Sequence, residues 1–287
     1  MSEFDQYLSP PNLWFSELHK NEVGLTFRIK DVLYAGHSKY QRIMVVDTFE
    51  LGKVLILYGS IMFTEKDEYF YHEMLAHVGM FAHPEPKRVL IIGGGDGGTL
   101  REVCKHPSVE HVDLVDIDSE VVRISREFFP NIASSFDDPR VSVHFEDGAK
   151  FVRESKDRYD VVFVDSSDPV GPATTIFSRE FYQSIKEHLT ENGVMVAQSE
   201  SPFYHAQFIS GLFDDLKKVF PYVRMYLSWM PAYPSGMWSY AFASLGVDHL
   251  PKRGPETLNG KLRFYNPELH KAAFALPNFV KEMVGQD

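Results

Sequence analysis

Cysteine is almost absent from this sequence: Cys104 stands alone among 287 residues. A single thiol excludes an internal disulfide and any cage of cysteine ligands for a metal, and it points to a reducing compartment. Long apolar runs are missing too, with nothing approaching the roughly 20 residues that span a bilayer. The first residues, among them Glu3 and Asp5, lack the basic flank and apolar stretch of a signal peptide. The expectation is a cytoplasmic protein with no membrane partner. Cations are in short supply as well, 29 Lys and Arg against 40 Asp and Glu, for a net charge of −11. Without a basic stripe to replace condensed counterions, nucleic acid is not expected as a partner, whereas small cationic ligands are tolerated or attracted. There is no internal repeat and no low-complexity segment.

What is present is a globular composition, 44% hydrophobic and 24% charged, laid out in two textures. From residue 23 to 64, short β-rich runs at 25–29, 42–46, 54–57 and 61–63 are broken by Gly24, Gly36, Asp47, Gly52 and Gly59, the pattern of a small hairpin meander. Residues 67–81 place Phe70, Met74, Leu75, Val78 and Phe81 near helical spacing, and Pro84 and Pro86 end that helix. Beyond it, apolar strands at 89–92, 112–115, 141–145, 161–164, 194–197 and 223–227 alternate with helical segments. A seventh, at 239–243, follows a Pro/Gly-rich turn directly. Strands apolar throughout and separated by helices predict a sheet covered on both faces. The fold class is therefore α/β: a Rossmann-like, methyltransferase-type seven-stranded sheet preceded by a small N-terminal β-domain, with the boundary expected at 78/79. Ligands of such sheets bind beyond the carboxyl ends of the strands.

Chemistry collects at those ends. The first strand runs into Gly93-Gly94-Gly95-Asp96-Gly97-Gly98, where Gly93, Gly95 and Gly98 fit a G-x-G-x-x-G turn before a helix. Asp96 inside the turn would repel a pyrophosphate, so a nucleoside with a cationic portion fits better than a dinucleotide; a plain helix-capping Asp96 is the alternative. The second strand ends at Asp116-Ile117-Asp118, with Asp116 assigned to ribose hydroxyls and Asp118 to a helix cap. After the third, Asp147 is placed to accept an adenine amino group beside the small Gly148, or to serve as a turn residue. The fourth delivers Asp165 and Asp168, paired carboxylates with no evident lysine or arginine near them. Such crowding calls for a cation, either an organic one or a magnesium ion. His72 and His77, five apart, miss the helical zincin spacing, and Ser166 and Ser167 lack a nucleophile elbow. His72 reads as a polar pocket wall or a surface group. Tyr69, Tyr71, Tyr233 and Trp238 are core aromatics or, beside carboxylates, part of a cation site.

These motifs resemble the spermidine synthase family of polyamine aminopropyltransferases. The resemblance covers most of the chain: residues 64–74, the glycine loop at 93–98, 165–172, 231–236 and the tail at 265–267 and 272–277. It implies transfer of an aminopropyl group from decarboxylated S-adenosylmethionine, a co-substrate and not a bound cofactor, to a diamine such as putrescine, and assembly as homodimers or homotetramers. It makes Asp165 the proton acceptor, with Asp168 holding the amine and Tyr71 beside them. It gives Asp96 the donor's ammonium, and Gln41, Asp116, Asp147, Gly148 and Pro172 the nucleoside. Tyr71, His72 and Tyr233 would line the amine channel. Asp116 departs from the family, where Glu is common, and His72 stands where His or Gln occurs. No metal is required. The loop 166–178 is expected to close over the nucleoside. Agmatine or cadaverine as acceptor, an S-adenosylmethionine-dependent methyltransferase and a silent polyamine-binding protein are the alternatives.

Overall fold

The computed structural model describes residues 12–19, 22–166 and 176–286. The chain divides into two compact units, one built on residues up to Glu68 together with Pro231–Pro234, the other running from Tyr69 to Met230 and from Ser235 onward. The boundary thus falls at the start of the first helix, whereas 78/79 would cut that helix near its end.

The N-terminal unit is one antiparallel sheet in sequential order: β1 (Leu13–His19), β2 (Val23–His37), β3 (Arg42–Thr48), β4 (Lys53–Leu57) and β5 (Ser60–Thr64). Ile29, Val46, Val54, Ile56 and Ile61 gather into one core with Ala232, and β4 is buried from Val54 to Leu57. Strand β1 was not foreseen, because its alternation is masked by Glu17. That carboxylate is buried and accepts the Ile61 N–H at 2.8 Å, so a charged residue occupies an inward position. Asp67 closes the unit, taking the Thr64 hydroxyl at 2.6 Å and the Ala232 N–H at 2.8 Å, which ties Pro231–Pro234 to the sheet.

The second unit opens with α1 (Glu68–Ala82) and then builds a seven-stranded sheet from β6 (Arg88–Gly93), β7 (His111–Val115), β8 (Val141–His144), β9 (Tyr159–Asp165), β10 (Leu189–Gln198), β11 (Tyr222–Trp229) and β12 (Met237–Ser244). The spatial order is β11-β12-β10-β9-β6-β7-β8, parallel from β8 to β10, with β12 antiparallel to both neighbours. This is the methyltransferase-type arrangement expected, and the seven strands lie where the apolar runs predict them. Val161, Val162, Phe163 and Val164 are wholly buried because helices cover both faces of the central strand. Helices α2 (Gly98–Cys104), α3 (Ser119–Phe128), α4 (Gly148–Glu154), α5 (Arg179–Glu187) and α6 (Ala206–Val219) follow β6, β7, β8, β9 and β10, and α7 (Pro267–Ala273) and α8 (Asn278–Val284) complete the unit. The chain leaves β6 toward β7 and later returns to its other side with β9. The topological switch, where such sheets bind ligands, therefore lies between the ends of β6 and β9.

Candidate active site

The parallel register of β6 and β9 sets Gly93 beside Asp165, the last residue of each strand. The approach is close: Gly94 N–H donates to the Asp165 carbonyl at 2.8 Å, and a Cβ on Gly93 would lie 2.1 Å from that oxygen. Gly93, Gly94 and Gly97 all have positive φ (83°, 68° and 88°), so the loop needs residues without a Cβ to turn from strand to helix. Both oxygens of the Asp165 side chain accept hydroxyls. Tyr71 of α1 donates at 2.7 Å and Thr99 of α2 at 2.6 Å. Burial first, and then the nearby Asp96 charge, push this carboxyl up to about 6 against the opposing pull of His72, Thr99 and Tyr71.

Asp96 accepts the Gly98 N–H at 2.6 Å and lies 3.4 Å from His72 Nε2. Burial acts to raise its pKa, yet the His72 charge and hydrogen bond, helped by the Gly98 amide and Arg101, hold the carboxyl below its usual range. Asp96 is thus not the cap of α2, a position that Gly97 fills, but it holds the first amide of the helix and belongs to the charge cluster. His72 is buried and not a surface group, and it packs so tightly on Gly98 that a Cβ there would meet its ring at 2.2 Å. The expectation of no lysine or arginine beside these acids is corrected by Arg101, which acts on Asp96, although the His72 imidazole acts on it first. Arg101 contributes less, because its Nε is engaged by Glu102 at 2.8 Å.

At the end of β7, Asp116 holds two backbone amides, Gly95 N–H at 2.9 Å and Asp118 N–H at 2.8 Å. Burial is the main reason its carboxyl is pushed up to about 6, with Asp118 and Asp96 adding repulsion. Asp118 caps α3 through the Glu120 N–H, as its position predicts. Asp147 caps α4 by accepting Lys150 N–H at 2.8 Å, and Gly148, the first residue of that helix, would carry a Cβ 2.6 Å from Ile92. The carboxyl edge therefore presents Asp96, Asp116, Asp147 and Asp165 from consecutive strand ends.

Gln41 and Tyr233 belong to the N-terminal unit. Gln41 closes a turn, its N–H bonded to Ser38 Oγ, and the Tyr233 hydroxyl donates to the Met62 carbonyl. Asp168 and Pro172, and most of the loop 166–178, lie outside the described residues. Among the described residues, the repulsion that raises Asp165 comes from Asp96. Thr99 escaped the sequence reading, because a hydroxyl inside a helix has no spacing signal. So did Glu200, a buried carboxylate just past β10 with the strained φ of 71°. No group of His, Cys, Asp and Glu among the described residues is arranged to hold a metal, and no described helix is long and apolar enough to cross a membrane.

Comparison with known proteins agrees with this geometry. Residues 68–249 match the spermine/spermidine synthase domain, and residues 13–65 match the spermidine synthase tetramerisation domain. A polyamine aminopropyltransferase of Caldicellulosiruptor saccharolyticus is 46% identical over 95% of this chain and 98% of its own length. One from Thermotoga petrophila is 47% identical over 99% of this chain and 98% of its own. The crystal structure of a spermidine synthase in complex with the transition-state analogue AdoDATO superimposes with a TM-score of 0.93 at 48% identity, covering 97% of each chain. The chain thus belongs to the spermine/spermidine synthase family of polyamine aminopropyltransferases.

Proposed function

We propose that this enzyme transfers the aminopropyl group of decarboxylated S-adenosylmethionine to putrescine, releasing spermidine and S-methyl-5′-thioadenosine. The observation that carries the proposal is Asp165: a buried carboxylate at the switch point, both oxygens held by hydroxyls, one loop away from Asp96. An alkyl amine has a pKa of about 10.4 and is protonated at neutral pH, so it cannot attack until a base removes a proton. Asp165 takes that proton, and Asp168 and the wall residues Tyr71, His72 and Tyr233 hold the diamine while its far ammonium stays charged. The freed nitrogen attacks the carbon next to the sulfonium. The N–C bond forms as the C–S bond breaks, and the electron pair left on sulfur cancels its charge. Raising Asp165 from 3.8 to about 6 narrows the proton-affinity gap to the amine by about 3 kcal/mol, while leaving the carboxylate mostly ionised at pH 7.

Asp96 receives the donor's ammonium. A carboxylate on the same arm, as in ordinary S-adenosylmethionine, would meet it at a cost of about 4 kcal/mol at 4 Å and a dielectric of 20, roughly a thousandfold discrimination. Asp116 accepts the ribose hydroxyls on lone pairs that the two amides leave, and Asp147 with Gly148, Gln41 and Pro172 hold the base and thioether. No cofactor or metal enters this chemistry. The match of the N-terminal sheet to a tetramerisation domain supports a homotetramer. The deciding experiment offers the decarboxylated donor with putrescine, cadaverine, agmatine and spermidine in turn and follows methylthioadenosine. Putrescine should give the highest kcat/KM; a tenfold preference for another amine would reassign the acceptor, and release of S-adenosylhomocysteine from the ordinary donor would reassign the reaction.

A further inference from the structure

Two buried histidines and a buried glutamate take no part in the site described above. His77 lies on α1, His106 just beyond α2, and Glu102 on α2, and all three are inaccessible to solvent. Their side chains form one line. His77 Nε2 stands 2.9 Å from Glu102 Oε2, and His77 Nδ1 stands 3.0 Å from His106 Nε2. Lys105 Nζ and Arg101 Nε also reach the Glu102 carboxylate, at 2.6 and 2.8 Å.

Charge fixes the order of protons along this line. Burial acts to raise Glu102, but His77, Arg101 and Lys105 together hold it ionised and far below the usual range. Its oxygen therefore accepts, and His77 Nε2 carries a proton. Burial first, and then His77, push His106 down to about 2, so His106 is neutral. Its Nδ1 meets no partner among the described residues, and a proton left there would be an unsatisfied buried donor. The proton accordingly sits on Nε2, and His106 donates to His77, which donates to Glu102.

The same two helices supply the hydroxyls on Asp165, Tyr71 from α1 and Thr99 from α2. At 1.5 Å per residue, His77 stands about 9 Å along α1 from Tyr71, and Glu102 about 4.5 Å along α2 from Thr99. A slide of one helix past the other would withdraw both hydroxyls together. Apolar packing resists a small slide weakly, whereas a hydrogen bond to a carboxylate in a dry interior resists it strongly, because breaking it leaves the buried His77 N–H without an acceptor. We propose that the Glu102–His77–His106 line is a positioning device that sets α1 against α2 and thereby holds Tyr71 and Thr99 on Asp165. Its activity readout rests on Asp165 being the base of aminopropyl transfer.

The test uses the full chain. His77→Leu removes the bridge while Glu102 keeps Lys105 and Arg101 on its own segment, and His77→Gln restores a donor at the height of Nε2. The groups facing Asp165 are Asp96, His72, Tyr71, Thr99 and Tyr240, and the two hydroxyls pull its pKa down. Loosening them should move the acid limb of kcat/KM upward by about half a pH unit or more. In His77→Leu, kcat should fall about tenfold or more with the donor KM nearly unchanged, and His77→Gln should recover both. A merely structural role would lower the melting temperature but leave the limb and kcat in place, and that result overturns the proposal. Should His77→Leu not fold, Glu102→Gln weakens the same bond: a smaller shift in the same direction supports the proposal, and an unmoved limb overturns it. Failure of the wild-type chain to use the decarboxylated donor would sink the proposed function alone. The positioning claim is then read in crystal structures of these variants: hydroxyls parted from Asp165 support it, and distances still at 2.7 and 2.6 Å overturn it.

Discussion

Asp165 and Asp96 show how two identical side chains on one strand edge acquire different duties. Asp165 receives only neutral hydroxyls, so burial dominates and its carboxyl rises to about 6. Asp96 has an imidazole and a backbone amide, and it stays ionised well below that. One is poised to take a proton, the other to keep a permanent charge. The acid limb of kcat/KM should therefore bend near pH 6, with activity lost as pH falls below it, and a rate profile from pH 4.5 to 8 checks this. Asp165→Asn removes the proposed base and should lower kcat by about a thousandfold while methylthioadenosine still binds, the expected size for general-base loss. Isothermal calorimetry beside turnover separates the two effects. Asp96→Asn should weaken the decarboxylated donor about tenfold or more and relax discrimination against the carboxylated one, since a neutral amide no longer repels it. Competition between the two donors measures that directly.

At the scale of elements, the strand ends were legible in the sequence and the pairings around them were not. Gly93 to Gly98 announces a strand–turn–helix because three of its glycines need positive φ, and Asp118 announces a cap because it precedes a helix. Nothing in one dimension says that His72 rests on Gly98, or that Thr99 rather than Ser166 touches Asp165. Those contacts arise from the approach of α1 to α2, which only packing decides. The Gly98 contact is itself testable. Gly98→Ala puts a methyl 2.2 Å from the His72 ring, which has to shift, so His72 should leave Asp96. The donor KM is expected to rise about tenfold with little change in the strand scaffold, and circular dichroism beside donor titration checks both. A second joint on α1 lies one residue past His72. The Glu73 carboxylate accepts the N–H groups of Arg263, Phe264 and Tyr265, each at 2.8 Å, so a single helix residue anchors the start of the tail. Glu73→Gln leaves one of those amides facing a donor and should cost about 1–3 kcal/mol, read as a lower denaturation midpoint.

For the molecule as a whole, alternation of apolar strands with helices was enough to indicate the seven-stranded sheet, since its central strands are buried on both faces. The N-terminal sheet was read one strand short because a buried Glu17 interrupts the pattern that identifies β1. Loss of that alternation at one residue is a local event, whereas the burial of several aspartates at one sheet edge has a global cost. Folding carries Asp165 from about 3.9 in the unfolded chain to about 6, so the native state binds a proton more tightly there than the unfolded state does. Below about pH 4 both states hold that proton and the site carries no penalty. Between about pH 4 and 6 the unfolded chain gives up its proton first, and native stability falls as pH rises; above about 6 the penalty is complete, near 3 kcal/mol at most. Asp165→Asn lacks the titration. Its melting temperature should match wild type near pH 4 and exceed it by a few degrees at pH 7, with the gap opening across that window and constant above it. Calorimetric scans of both chains from pH 4 to 8 decide the matter, and a gap independent of pH would mean that the Asp165 carboxylate is not strained by its burial.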